Sequence, residues 1–132
     1  MIYRELYIGR WHVCFVFAPD GYDDNAILDI LYDLDASDYL LVKAGKKMRE
    51  GRPNEGFTFS NGEMKEALVV IGPTTSSAEF LDTLTHEIHH LAVVVANSLG
   101  IDLESETPAY ISGDSTRALA DVVCRLGCDN CG

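Results

Sequence analysis

The sequence predicts an α+β fold in which helices pack on one face of a small antiparallel sheet. Three observations lead there. The run from Trp11 to Ala18 is β-branched and aromatic, as a buried strand requires. The stretch from Phe57 to Ile71 reads as a hairpin broken at Asn61-Gly62, a strong short-range turn signal. The second half carries two long helical patterns, so strands and helices segregate along the chain.

Taken in order, Pro19-Asp-Gly-Tyr22 closes the first strand with turn residues. Asp23 or Asp24 caps a helix through about Leu34, with Ala26, Ile27, Ile30, Leu31 and Leu34 on one side. Ser37 caps a second helix, Asp38 to about Arg49, and Gly51-Arg-Pro-Asn54 turns the chain. The hairpin pairs Phe57–Ser60 with about Glu66–Ile71, and Gly72-Pro73 ends it. Ser76 or Ser77 then caps a long helix, about Ala78 to Leu99, with Gly100 as its stop. A last helix is expected from about Ser105 to Leu126, with Pro108 tolerated in its first turn.

The chain has 132 residues, 47% of them apolar, which suits one domain over 1–132. Ten basic residues stand against 21 acidic ones, a net charge of −11. That balance argues against nucleic-acid binding, which rests on Lys and Arg, and against anionic membranes. Residues Met1 to Tyr7 lack a signal-peptide layout, and no apolar run approaches the ~20 residues of a membrane span. The expected compartment is the cytoplasm, where cysteines stay reduced.

His86-Glu87-Ile88-His89-His90 fits H-E-x-x-H on a helix. Residues four apart share a helix face, so two imidazoles can converge on one Zn²⁺. Glu87 is one step round and can reach a metal-bound water. At ~100° per residue, Leu81, Leu84, Ile88, Leu91 and Val95 share one narrow arc, with His86 and His90 well off it. His89 points elsewhere, although a His86/His89 pair stays open.

A catalytic zinc keeps three protein ligands and one open position. Where a longer motif would place Gly and a third His, this chain has Val93 and Ala96. A carboxylate from a later helix is the alternative. Glu106 is favoured because it opens the last helix; Glu104 and, more weakly, Asp102 remain open.

From Glu79 to Leu126 the chain resembles a small zincin-like, gluzincin-type metallopeptidase family of bacteriophages and bacterial mobile elements. The shared pattern is the H-E-x-x-H helix, the Gly100-Ile101 turn, and Glu106-Thr-Pro-Ala-Tyr110-Ile-Ser-Gly113. Ile2-Tyr-Arg-Glu5 and Gly21-Tyr22 add to it. The resemblance implies a minimal zincin-like domain with an active-site helix and a metal site, more than a substrate. The Asn-Glu-x-x-Ser-Asp pattern of thermolysin-like gluzincins is missing, so their specificity does not transfer.

The expected activity is zinc-dependent hydrolysis of peptide bonds, with Zn²⁺ on His86, His90 and Glu106. The ion lowers the pKa of its water toward ~7 and polarises the carbonyl. Glu87 is the expected general base, and Tyr110 an oxyanion donor. The strand ending at Ile71 is expected to pair with an extended peptide substrate. Asp114 or Asp121 could orient a ligand imidazole. The competing expectation is a non-catalytic binding or assembly protein of a phage or mobile element, with a protein partner or a second copy of the chain; retention of Glu87 favours activity. Cys124, Cys128 and Cys131 could hold a structural zinc with Cys14 or His12, although a helix-face Cys124 and a frayed tail are the plainer expectation. Trp11 is expected in the core. The basic residues from Lys43 to Arg49 are expected to complement a helix C-terminus.

Overall fold

The structure, a computed structural model, describes residues 1–128. The described chain is a mixed α+β arrangement of one four-stranded sheet and five helices. The elements are β1 (Ile2–Ile8), β2 (Trp11–Phe17), α1 (Asp24–Asp33), α2 (Asp38–Glu50), β3 (Gly56–Asn61), β4 (Glu66–Ile71), α3 (Ser77–Ser98), α4 (Thr107–Ala118) and α5 (Ala120–Leu126).

Side-chain caps set the helix starts. Asp23 accepts from Ala26 N, Ser37 from Leu40 N and Ser76 from Glu79 N, each satisfying a backbone donor the helix leaves unpaired. Gly51 ends α2 in the left-handed region, at φ 60°. The last helical pattern is two helices rather than one: α4 stops at the buried Leu119, and α5 continues from Ala120.

The sheet order is β1-β2-β4-β3. β1, which the sequence reading left unassigned, pairs antiparallel with β2 through the two-residue turn Gly9-Arg10. Only Gly9 there has positive φ (58°), as a type II′ turn requires. The expected hairpin of β3 and β4 is present, but its loop is 62–65, not Asn61-Gly62 alone. Asn61 pairs with Glu66, and its side chain accepts from the Glu63 and Met64 N–H groups.

Two features differ from the expected single-faced antiparallel sheet. β2 and β4 run parallel. Helices also cover both faces. Trp11, Val13, Phe15, Phe17, Ala67, Val69 and Ile71 pack against α3, α4 and α5; Val16, Leu68 and Val70 pack against α1 and α2. The reason is in the strands themselves. Ala67 to Ile71 are all buried, with no polar alternation, so each face needs a cover. No described helix is long and apolar enough to cross a membrane.

Candidate metal centre

α3 carries the motif across the sheet and onto the edge strand β3. Its buried side chains include Phe80, Leu84, Ile88, Leu91 and Val95, and its exposed face holds His86, His89 and His90. The Nε2 atoms of His86 and His90 lie 3.1 Å apart, with ring planes at 78°. Two nitrogens bound at ~2.0–2.1 Å in a tetrahedral shell are about 3.3 Å apart. The pair therefore fits two ligands of one zinc within a few tenths of an ångström. His89 stands aside, its ring centroid 6.3 Å from that of His90.

Glu87 lies on the buried side of the same turn, at 5% exposure. Its Oε1 accepts from Thr58 Oγ1 at 3.0 Å, and its Oε2 is 3.9 Å from His86 Nε2. A carboxylate so far out of water demands a reason, because such burial is rare without pairing. Gly56 makes the room: a Cβ there would stand 2.5 Å from Val70 O and 3.1 Å from Glu87 Cγ. Thr83, one turn before Glu87, donates to Asn54 O at 3.3 Å and ties α3 to the entry of β3. Lys47 of α2 donates to Gly56 O at 2.8 Å. A cavity of about 250 Å³ opens here, lined by Lys47, Glu55, Gly56, Asp82, Thr83, His86 and Glu87 among others.

Sequence reasoning missed Thr58, Gly56 and Lys47 as neighbours of the motif. No spacing rule links Thr58 to a helix 29 residues on; only the docking of α3 on β3 does.

Glu106 is not brought to the histidine pair. It is the exposed N-cap residue of α4 and makes no side-chain capping bond. α4 and α5 run back along α3, since a Cβ on Gly127 would touch the Leu81 side chain. The start of α4 is thus near the C-terminal end of α3, about two helical turns beyond His90. Tyr110 is 65% exposed, one turn further on. Glu104 is exposed, and Asp102 accepts from the Glu104 N–H. Among the described residues, no three His, Cys, Asp or Glu side chains gather as a metal-binding group.

The expected supporting carboxylates are engaged elsewhere. Asp114 pairs with Arg117 at 3.4 Å. Asp121 pairs with Arg4 of β1 at 2.6 Å, and that hydrogen bond holds its carboxyl below the usual range. Neither contacts an imidazole.

A larger cavity, about 680 Å³, lies across β1, β2, β4 and α1, away from the motif. His12 sits there between Glu5 (3.4 Å) and Glu66 (3.7 Å). Cys14 lines it too, its thiol pushed up by burial and then by Glu5, the reverse of a reactive thiolate. Size alone does not make that cavity the reaction site; the converging imidazoles and buried carboxylate are at the smaller one. His12 and Cys14 also face the α1–α2 layer, whereas Cys124 is on α5 in the opposite layer. The sheet stands between them, so the alternative of a shared structural zinc does not form from Cys14, His12 and Cys124. Cys124 is exposed rather than core-facing, and Cys131 lies outside the described residues.

Comparison with protein-family models, with curated proteins and with solved structures finds no match.

Proposed function

We propose that this chain is a zincin-like zinc peptidase acting on extended peptides. The observation that carries the reading is the single helical turn that converges His86 and His90 Nε2 while burying the Glu87 carboxylate beside them. His86 and His90 hold the ion, and Glu106 is the third ligand in this reading. The Glu106 carboxylate makes no capping bond, but for it to reach, a closure must carry the first turn of α4 along α3 toward His90, about two helical turns. When bound, zinc supplies an acidified water and a polarised carbonyl. Glu87 takes the proton of the attacking water and passes it to the leaving amine. Thr58 holds one Glu87 oxygen, which leaves Oε2 turned toward the histidines. Tyr110 as oxyanion donor depends on the same closure.

The peptide pairs with β3 rather than with β4. Expected as the docking strand, β4 is enclosed between β2 and β3, whereas β3 is an edge. The open site, with His86 two-thirds exposed, favours a second reading: a zincin-fold binding or assembly protein that cleaves nothing.

Metal analysis of chain purified without chelator tests the proposal. About one zinc per chain is expected, lost in His90→Ala and Glu106→Ala. Zinc kept in Glu106→Ala moves the third ligand elsewhere. No zinc, even after addition, rules out the peptidase reading. Zinc at a hundred-fold over its Kd also adds about 2.7 kcal/mol of stability, a rise in Tm of about 10 °C.

A further inference from the structure

The outer edge of β3 can be read from its pairing. Glu55 O accepts from Gly72 N, and Phe57 is opposite Val70. In an antiparallel ladder bonded residues alternate. The backbone groups of Phe57, Phe59 and Asn61 therefore face β4, and those of Gly56, Thr58 and Ser60 face outward. Lys47 already occupies Gly56 O. The edge from there to Ser60 is open among the described residues.

A groove runs along the far side of that edge from the histidines. Leu40, Lys43, Ala44 and Lys47 form one stripe of α2, at i, i+3, i+4 and i+7, facing Phe57 and Phe59 of β3 with Leu31 beneath. The cavity between them is about 220 Å³. That is below the roughly 300 Å³ where small-molecule sites begin, and it suits one bulky side chain. Its floor is apolar and its rim carries two ammonium groups. Lys47 is 3.9 Å from Glu55, whereas Lys43 makes no ion pair among the described residues.

We propose that this groove is a specificity subsite for an extended peptide bearing a bulky apolar side chain with an acidic one two residues away, on the same face of the added strand. A strand added to β3 alternates its side chains between the two sheet faces. One then points toward His86 and Glu87, and its neighbour enters the α2 groove. The net charge of −11 repels an acidic peptide at a distance. Screening confines that repulsion to about 10 Å, so at contact Lys43 and Lys47 decide. The inference rests on the peptidase reading only for what happens to the peptide after it binds.

The test is amide chemical-shift mapping on the full chain as purified, with the capped peptide Ac-Glu-Ala-Phe-Ala-Glu-NH2, which puts both Glu side chains on the same face as Phe. Thr58 and Ser60 amides and Leu40 are expected to shift. Exchanging Glu for Lys in the peptide weakens binding about tenfold, and exchanging Phe for Ser does so by about the same factor. Lys43→Glu, an exposed change that leaves the rest of the spectrum in place, removes the preference for Glu over Lys. Equal binding of all three peptides, shifts confined to other surfaces, or no binding at millimolar peptide overturns the proposal. So do β3 shifts that depend on protein concentration alone, which would put a second copy on the edge. Mass spectrometry of the same mixtures reads cleavage separately. Selective binding without cleavage in the presence of zinc counts against the peptidase reading alone, and cleavage without preference counts against the subsite alone.

Discussion

Glu87→Gln is expected to stabilise the fold while abolishing the proposed peptidase activity. The carboxylate is 5% exposed and receives one hydrogen bond, from Thr58, although it could accept several. Its second oxygen receives no hydrogen bond among the described residues, and His86 Nε2 is 3.9 Å from it. A glutamine has the same length, keeps the bond from Thr58, and removes a charge-bearing group from a site poor in compensation. Such a change is worth about 1–2 kcal/mol. For 132 residues the unfolding entropy is about 0.28 kcal/mol per kelvin, so Tm rises by about 4–7 °C. Melting in chelator, followed by circular dichroism, isolates this from any bound metal. Peptide hydrolysis with zinc falls by about 10²–10⁴-fold, the usual share of a general base. Glu87→Ala is the contrast: it leaves half-buried Thr58 Oγ1 with only its 3.4 Å bond to the Glu87 carbonyl, opens a cavity beside β3, and costs about 1–3 kcal/mol. If Gln lowers Tm as Ala does, the carboxylate is a structural partner of β3, and the argument from its burial to function fails.

Two further predictions concern stability. Ser115 Oγ is buried with no hydrogen-bond partner among the described residues, so Ser115→Ala should stabilise α4 by about 1 kcal/mol in urea unfolding with an unchanged m-value; a loss of stability would mean that the hydroxyl has a bonding role. Burial raises the Cys14 thiol above its ordinary 9.0, with a further push from Glu5, and burial likewise raises the Tyr22 phenol above 10.0, with further pushes from Glu55 and Asp24. The unfolded chain then releases these protons first, so stability is full below about pH 9 and falls as pH rises through the raised values. Denaturation at pH 7 and pH 10 should show a smaller alkaline loss in Cys14→Ala than in the parent, and an equal loss would refute the assignment.

Local signals carried far in this chain. Asp23, Ser37 and Ser76 cap as their types and positions suggest, because a cap is decided within a few residues. The H-E-x-x-H turn is equally local, and its imidazoles converge. What failed was whatever depended on distant pairing. The parallel contact of β2 with β4 spans two helices and an edge strand, and no short pattern encodes it. The covering of both sheet faces was legible in principle, since unbroken apolar runs such as Ala67 to Ile71 mark two-sided burial. β1 hid because exposed Tyr3, Glu5 and Tyr7 alternate with half-buried Ile2, Leu6 and Ile8, a weaker strand signal than β2. Glu106 was placed by its type and helix position, but those do not give its level along α3.

The site stands at the sheet edge for a reason that joins these two scales. Ile88 and Glu87 are neighbours, about 100° apart on the helix. Ile88 enters the core with Val69 and Phe15, where every side chain is apolar. That same rotation turns Glu87 toward β3, where Gly56 leaves space and Thr58 offers a hydroxyl. It leaves His86 and His90 in solvent on the remaining face. Over the central strands a carboxylate would meet only Val, Phe and Ile and find no donor. The topology that puts β3 outermost therefore allows one helical turn to bury Ile88 on one side, seat the Glu87 carboxylate on the next and present His86 and His90 on the third, the arrangement the proposed peptidase needs.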